Sequence, residues 1–143
     1  MFDQRQSILI VEDNDQDREL IVHALTSYDL AQTVVAVSSA SEALEFLNAE
    51  GKYAGNRSRP SLAMVDLNLP DSHGLELVKA IRSKPELGEL PIVVFTGSQS
   101  AIDAAAARQL GANAFVVKPT LWEDMSALVR SSAAFWAQQA RAY

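Results

Sequence analysis

The chain contains no cysteine, which excludes a disulfide framework and any thiolate-bound metal. No apolar run approaches the ~20 residues of a membrane-spanning helix. The first residues, Met1-Phe2-Asp3-Gln4-Arg5-Gln6, are polar and are no secretory leader. Positive charge is scarce: 12 Lys and Arg stand against 18 Asp and Glu, for a formal net charge of -6. No basic run offers the phosphate-neutralising stripe that direct nucleic-acid binding needs. Repeats and low-complexity segments are also missing; the run Ala104 to Ala107 is simply good helix-forming sequence. These absences fit a cytoplasmic protein without membrane or nucleic-acid contacts. The 143 residues, 48% of them apolar, suffice for one domain over 1–143 with one substantial core and no output domain.

Five short apolar runs, rich in β-branched residues, alternate with five amphipathic segments. The runs are Ser7 to Val11, Thr33 to Val37, Leu62 to Asp66, Leu90 to Thr96 and Asn113 to Val117. Helical spacing follows each of them, with Ser39 and Glu42 forming a capping box before the second helix and Gly111 stopping the fourth. This alternation implies an α/β fold with a parallel sheet and helices on both faces. One connection is unusual: 50–60, with two glycines, Asn56, Ser58, Arg57 and Arg59, is an extended loop, longer than most such links.

Polar residues sit at four strand ends: Glu12 and Asp13 after the first, Asp66 after the third, Thr96 after the fourth and Lys118 after the fifth. Parallel strands place all of them on one edge, where open α/β sheets bind ligands. Each has a bland explanation: acids favoured by a helix dipole, turn residues, a solvated lysine. The set is harder to explain away. Carboxylates ~4 Å apart repel by roughly 4 kcal/mol at an effective dielectric of ~20, so positive charge must offset them. Lys118 supplies one charge, and oxygen-only donors suit Mg²⁺. An Asp ionised beside Mg²⁺ and a lysine can act as a nucleophile towards phosphorus. Thr96 can hydrogen-bond an incoming phosphoryl oxygen.

The chain resembles the receiver domains of two-component response regulators over nearly its whole length. Glu12-Asp13, Asp66, Thr96-Gly97 and Lys118-Pro119 carry the resemblance, with Pro70 and Gly74 four and eight places past Asp66. It implies a flavodoxin-like (βα)5 fold with strand order 2-1-3-4-5. It implies Asp66 as phosphoacceptor, Mg²⁺ on Asp13, Asp66 and the Asn68 carbonyl with Glu12 acting through water, and Thr96, Gly97 and Lys118 around the phosphoryl group. Thr96 and Phe115 would form the switch, with Phe115 in place of the commoner tyrosine, and Lys118-Pro119 would be cis. Phosphorylation would change the surface of the fourth helix, fifth strand and fifth helix. The long loop, the wording Asp66-Leu67-Asn68-Leu69-Pro70 and the terminal Phe135-Trp136 resemble single-domain regulators paired with bacterial and cyanobacterial phytochromes. The expected phosphodonor is thus a sensor histidine kinase of bacteriophytochrome type.

Two other functions fit parts of the pattern. A haloacid-dehalogenase-type Mg²⁺ phosphatase uses similar residues, but Asn68 stands where its general acid belongs and the motif order is reversed. A phosphorylation-independent adaptor would not need intact Asp66 and Lys118. The protein is therefore expected to be a phosphoacceptor that assists its own phosphorylation and slow dephosphorylation, not an enzyme on a separate substrate. Asn68 and Ser98, each two places beyond a pocket residue, are expected to set the lifetime of the phosphorylated state. In the last helix Trp122, Met125, Val129, Ala133 and Trp136 share a stripe that should face the sheet. Leu128 and Phe135 widen it, which predicts a homodimer through these two residues; the alternative folds Phe135 back onto strand 5 or helix 1.

Overall fold

The computed structural model describes residues 7–28, 33–56 and 59–141. Strands β1 (Ser7–Val11), β2 (Thr33–Val37), β3 (Pro60–Val65), β4 (Ile92–Thr96) and β5 (Ala114–Val117) alternate with helices α1 (Asp15–Ser27), α2 (Ala40–Leu47), α3 (Gly74–Arg82), α4 (Ala101–Gln109) and α5 (Trp122–Arg141). All strand pairs are parallel, in the order β2-β1-β3-β4-β5. This is the order expected.

Because side chains alternate across a strand, the central strands feed two separate cores. Leu9, Val11, Ala63, Val65, Ile92 and Val94 pack against Ala43 and Phe46 of α2, Leu77, Val78 and Ile81 of α3, and Ala107 of α4. Ile8, Ile10, Leu62, Met64, Val93 and Phe95 pack on the other face against Ile21, Ala24 and Leu25 of α1 and Met125, Val129 and Ala133 of α5. Burial on both faces is why β1, β3 and β4 read as unbroken apolar runs.

Helix starts are capped by side chains, at Ser39 as the sequence indicates and at further positions. Asn14 accepts from the Asp17 amide, Ser39 from that of Glu42, and Ser100 from that of Asp103. Within the described part of the connection over 50–60 lies a 3-10 turn, Gly51–Tyr53. Lys52 pairs with Glu42 at 2.8 Å, and the Tyr53 hydroxyl donates to the same carboxylate. The Arg57-Ser58 part of that expected loop lies outside the described residues.

One expectation about α5 fails. Met125, Val129 and Ala133 face the sheet, and Trp136 packs at its margin. Trp122, placed on the same stripe by periodicity, is 47% exposed, its ring 6.3 Å from that of His23 on α1. Periodicity fixes direction around a helix axis, and the first turn of α5 stands beyond the end of the strands. Leu128 and Phe135 are exposed as expected, with Phe135 edge-on to Trp136 rather than folded back onto the sheet.

Candidate functional site

The sheet register lines up the polar strand ends. The Asp66 amide donates to Val11, that of Glu12 to Val37 and that of Lys118 to Thr96, at 3.0, 3.0 and 2.7 Å. Each residue thus continues its ladder by one step. Glu12, Asp66 and Thr96 are all buried there.

Lys118 is the centre of the site. Its Nζ lies 2.6 Å from Glu12 Oε1, 2.9 Å from Asp17 Oδ2 and 3.1 Å from Asp66 Oδ2. Three ammonium protons face three carboxylates, so every donor has an acceptor. Removing any of these charges from water is costly, and close mutual pairing offsets that cost.

The carboxyls do not share one protonation behaviour. Burial, and then the adjoining Asp66 carboxyl, push Glu12 up to about 7. Burial also acts to raise Asp66, but hydrogen bonds from Glu12, Lys118 and Thr96 and the charge of Lys118 outweigh it and hold Asp66 below its ordinary value. The two shifts run in opposite directions, and Asp66 is the acid whose ionised form the pocket favours. Burial would lower Lys118; the hydrogen bonds to Glu12 and Asp17 dominate and raise it, so it stays charged.

Asp17 was not among the residues expected here; Asp13 was expected as the third carboxylate. Asp13 is exposed and makes no ion pair with Lys118 among the described residues. As β1 ends, successive side chains point to opposite sides, so Glu12 turns inward and Asp13 outward. The first turn of α1 then brings Asp17 back over the edge. Asp17 lies in the acidic first turn of α1, four places past Asp13, and its type and spacing alone carry no signal that it reaches Lys118. Arg18 steadies this connection, donating to the carbonyls of Glu12 and Asp13 and pairing with Asp15 at 2.6 Å.

The β3–α3 loop is also held. Asp71 accepts from the Ala40 and Ser41 amides at the start of α2, at 3.0 and 2.9 Å. Gly74 donates to the Leu67 carbonyl at 2.8 Å. Asn68 is exposed and shares with Asp13 a cleft of about 410 Å³, also lined by Leu67, Leu69, Pro70, Ser72 and His73. No group of three or more His, Cys, Asp and Glu side chains is closed up for a metal ion among the described residues. The donors at this edge, carboxylates and main-chain carbonyls, are nevertheless hard oxygens of the kind Mg²⁺ takes.

On the other side, Thr96 Oγ1 accepts from the Ser98 amide, and the Ser98 hydroxyl donates to Asp103 Oδ2 at 2.7 Å. Gly97 is exposed, with nothing within 4 Å of where a Cβ would stand. Phe115 is half-buried against the core shared by α3 and α4. The Lys118-Pro119 bond, expected cis, is trans, and no cis peptide occurs among the described residues. Trans is favoured by about 0.5–1 kcal/mol before proline, and here it is compatible with Lys118 reaching its three acceptors.

Residues 8–130 match the response regulator receiver domain family. The response regulator Rcp1 of Synechocystis sp. is 32% identical over 129 residues, covering 90% of this chain and 87% of the relative. The phosphorylated cyanobacterial phytochrome response regulator RcpA has a similar structure, with a TM-score of 0.87, 35% identity and coverage of 94% of this chain and 96% of that one. The Mn²⁺-bound form of Rcp1 superposes with a TM-score of 0.84 at 31% identity, over 93% and 95% of the two chains.

Proposed function

The chain belongs to the response regulator receiver family, and we propose that Asp66 is its phosphoacceptor, taking a phosphoryl group from a phosphohistidine of a sensor histidine kinase. A carboxylate oxygen of Asp66 attacks phosphorus, an O–P bond forms, and the N–P bond breaks with its electrons returning to the imidazole. The observation that carries this reading is geometric: Asp66 is buried at the end of β3 with Oδ2 3.1 Å from the Lys118 ammonium, whose charge favours the ionised carboxylate. An unprotonated acid is the nucleophile this step requires.

The rest of the edge serves the transferred group. Lys118 follows the charge from the carboxylate to the phosphoryl oxygens. Thr96, already within hydrogen-bonding reach of Asp66, turns its hydroxyl to the same oxygens, and the open backbone at Gly97 leaves room for them. A divalent cation, Mg²⁺ in the cell, would be held by Asp13, Asp66 and the Asn68 carbonyl, with Glu12 through water. When bound it supplies positive charge against the phosphoryl oxygens. Movement of Thr96 would draw Phe115 inward and alter the α4–β5–α5 surface.

The kinase is of the phytochrome type, a reading supported by the similarity to RcpA and Rcp1. The chain acts as a cytoplasmic switch without turnover of a separate substrate, and pairs as a homodimer through Leu128 and Phe135, both exposed on α5. No described helix is long and apolar enough to cross a membrane.

The test is label transfer from acetyl phosphate or a phosphorylated kinase in the presence of Mg²⁺. Wild type should take up label and Asp66→Asn should take up none. Undiminished labelling of the variant would overturn the assignment.

A further inference from the structure

We propose that Asp17 is a positioning residue for Lys118, holding the ammonium on the α1 side of the pocket while Asp66 changes from carboxylate to acyl phosphate. This deepens the phosphoacceptor reading and rests on it. A lysine ammonium is a point charge on a flexible four-carbon stem. Its location is set by the groups that accept its three N–H bonds. Of the three acceptors here, Asp66 is the farthest, at 3.1 Å, and it is the one the reaction converts. The two that persist approach from different elements: Glu12 at the end of β1, at 2.6 Å, and Asp17 in the first turn of α1, at 2.9 Å.

With Glu12 alone the ammonium could swing about a single contact; with both it is confined between them, within reach of Asp66 and of whatever Asp66 carries. Asp17 has a firm base. Its own amide donates to Asn14 Oδ1 at 2.9 Å, and the following Arg18 clasps the Glu12 carbonyl at 2.9 Å. The Lys118 amide is tied to the Thr96 carbonyl at 2.7 Å, so both ends of the contact are fixed to the scaffold. An acid present only to complement the helix dipole would need no partner at β5.

The test compares wild type, Asp17→Ala, Asp17→Glu, Lys118→Met and Asp17→Ala/Lys118→Met as full chains, with circular dichroism melts to establish folding. Two quantities are read: the initial rate of label uptake from acetyl phosphate with Mg²⁺, and hydrogen exchange of the Lys118 ammonium in ¹⁵N-lysine protein, its signal identified by its loss in Lys118→Met. Asp17→Ala should slow uptake roughly threefold to tenfold, the effect of one partly solvated charge-assisted hydrogen bond, and should speed ammonium exchange. Asp17→Glu should restore most of both. In the Lys118→Met background the Asp17→Ala change should have no further effect. A labelled wild type with Asp17→Ala unchanged in both readouts overturns the proposal, as does an equal loss in the Lys118→Met background. An unlabelled wild type whose Lys118 exchange still depends on Asp17 overturns the phosphoacceptor reading and leaves the anchoring contact standing.

Discussion

Replacing Gly74 by alanine should loosen the joint between α3 and the strand that carries Asp66. A Cβ at this position would lie 2.2 Å from the Asp66 carbonyl oxygen, 2.7 Å from Leu67 Cα and 3.0 Å from the Asp66 carbonyl carbon. Comfortable contacts between carbon atoms fall near ~3.5–4.0 Å, so the overlap is on the order of 1 Å. All three atoms belong to the backbone and none can rotate aside. Either α3 slides away, or the end of β3 turns and takes the Asp66 carboxylate with it. Overpacking of this kind costs about 1–3 kcal/mol, and stretching the 2.8 Å bond from Gly74 to the Leu67 carbonyl adds roughly 1 kcal/mol. The lower chain entropy of alanine in the unfolded state returns about 0.4–1 kcal/mol. The net destabilisation is about 2 kcal/mol, or a urea midpoint lowered by roughly 1 M at a typical slope of ~2 kcal/mol per M. Gly97→Ala is the comparison: nothing lies within 4 Å of a Cβ there, so its stability should stay within about 0.5 kcal/mol of wild type. Urea titrations followed by circular dichroism read both. A Gly74→Ala midpoint equal to wild type, or an equal loss in Gly97→Ala, would refute the steric argument.

Three further outcomes are expected. Glu12 is raised from 4.5 to about 7 in the folded chain, so the stability it contributes is complete below its unfolded value and is lost as pH rises through about 7. In chelator, the urea midpoint should therefore be higher at pH 5.5 than at pH 8; a flat or rising profile would contradict the protonated Glu12. Asn68 is exposed and Ser98 only half-buried, both beside the pocket. Bulkier apolar residues at these positions should lengthen the life of the phosphorylated form several-fold, and an unchanged decay of label would show that water enters elsewhere. Sedimentation of wild type beside Leu128→Glu/Phe135→Glu should show a dimer and a monomer respectively, whereas a monomeric wild type or a dimeric variant would rule out this interface.

Much of the molecule could be read locally. Runs such as Leu62 to Val65 are buried on both faces, so they carry no alternation to misread, and their flanking turn residues mark where they end. Once strands and helices alternate, the handedness and shortness of the connections leave parallel pairing as the outcome. Parallel pairing in turn gathers Glu12, Asp66, Thr96 and Lys118 on one edge without further information. Three matters were decided only by the tertiary structure. Which acid completes the shell of Lys118 depends on where a long stem ends, and that contact joins residues 101 positions apart; strand alternation turns Asp13 out and the first turn of α1 brings Asp17 in. Whether Trp122 is covered depends on where the sheet stops beneath α5, and helical periodicity carries no information along the axis. The isomer at Pro119 is separated locally by only about 1 kcal/mol, a margin small enough for the surrounding packing to set either way.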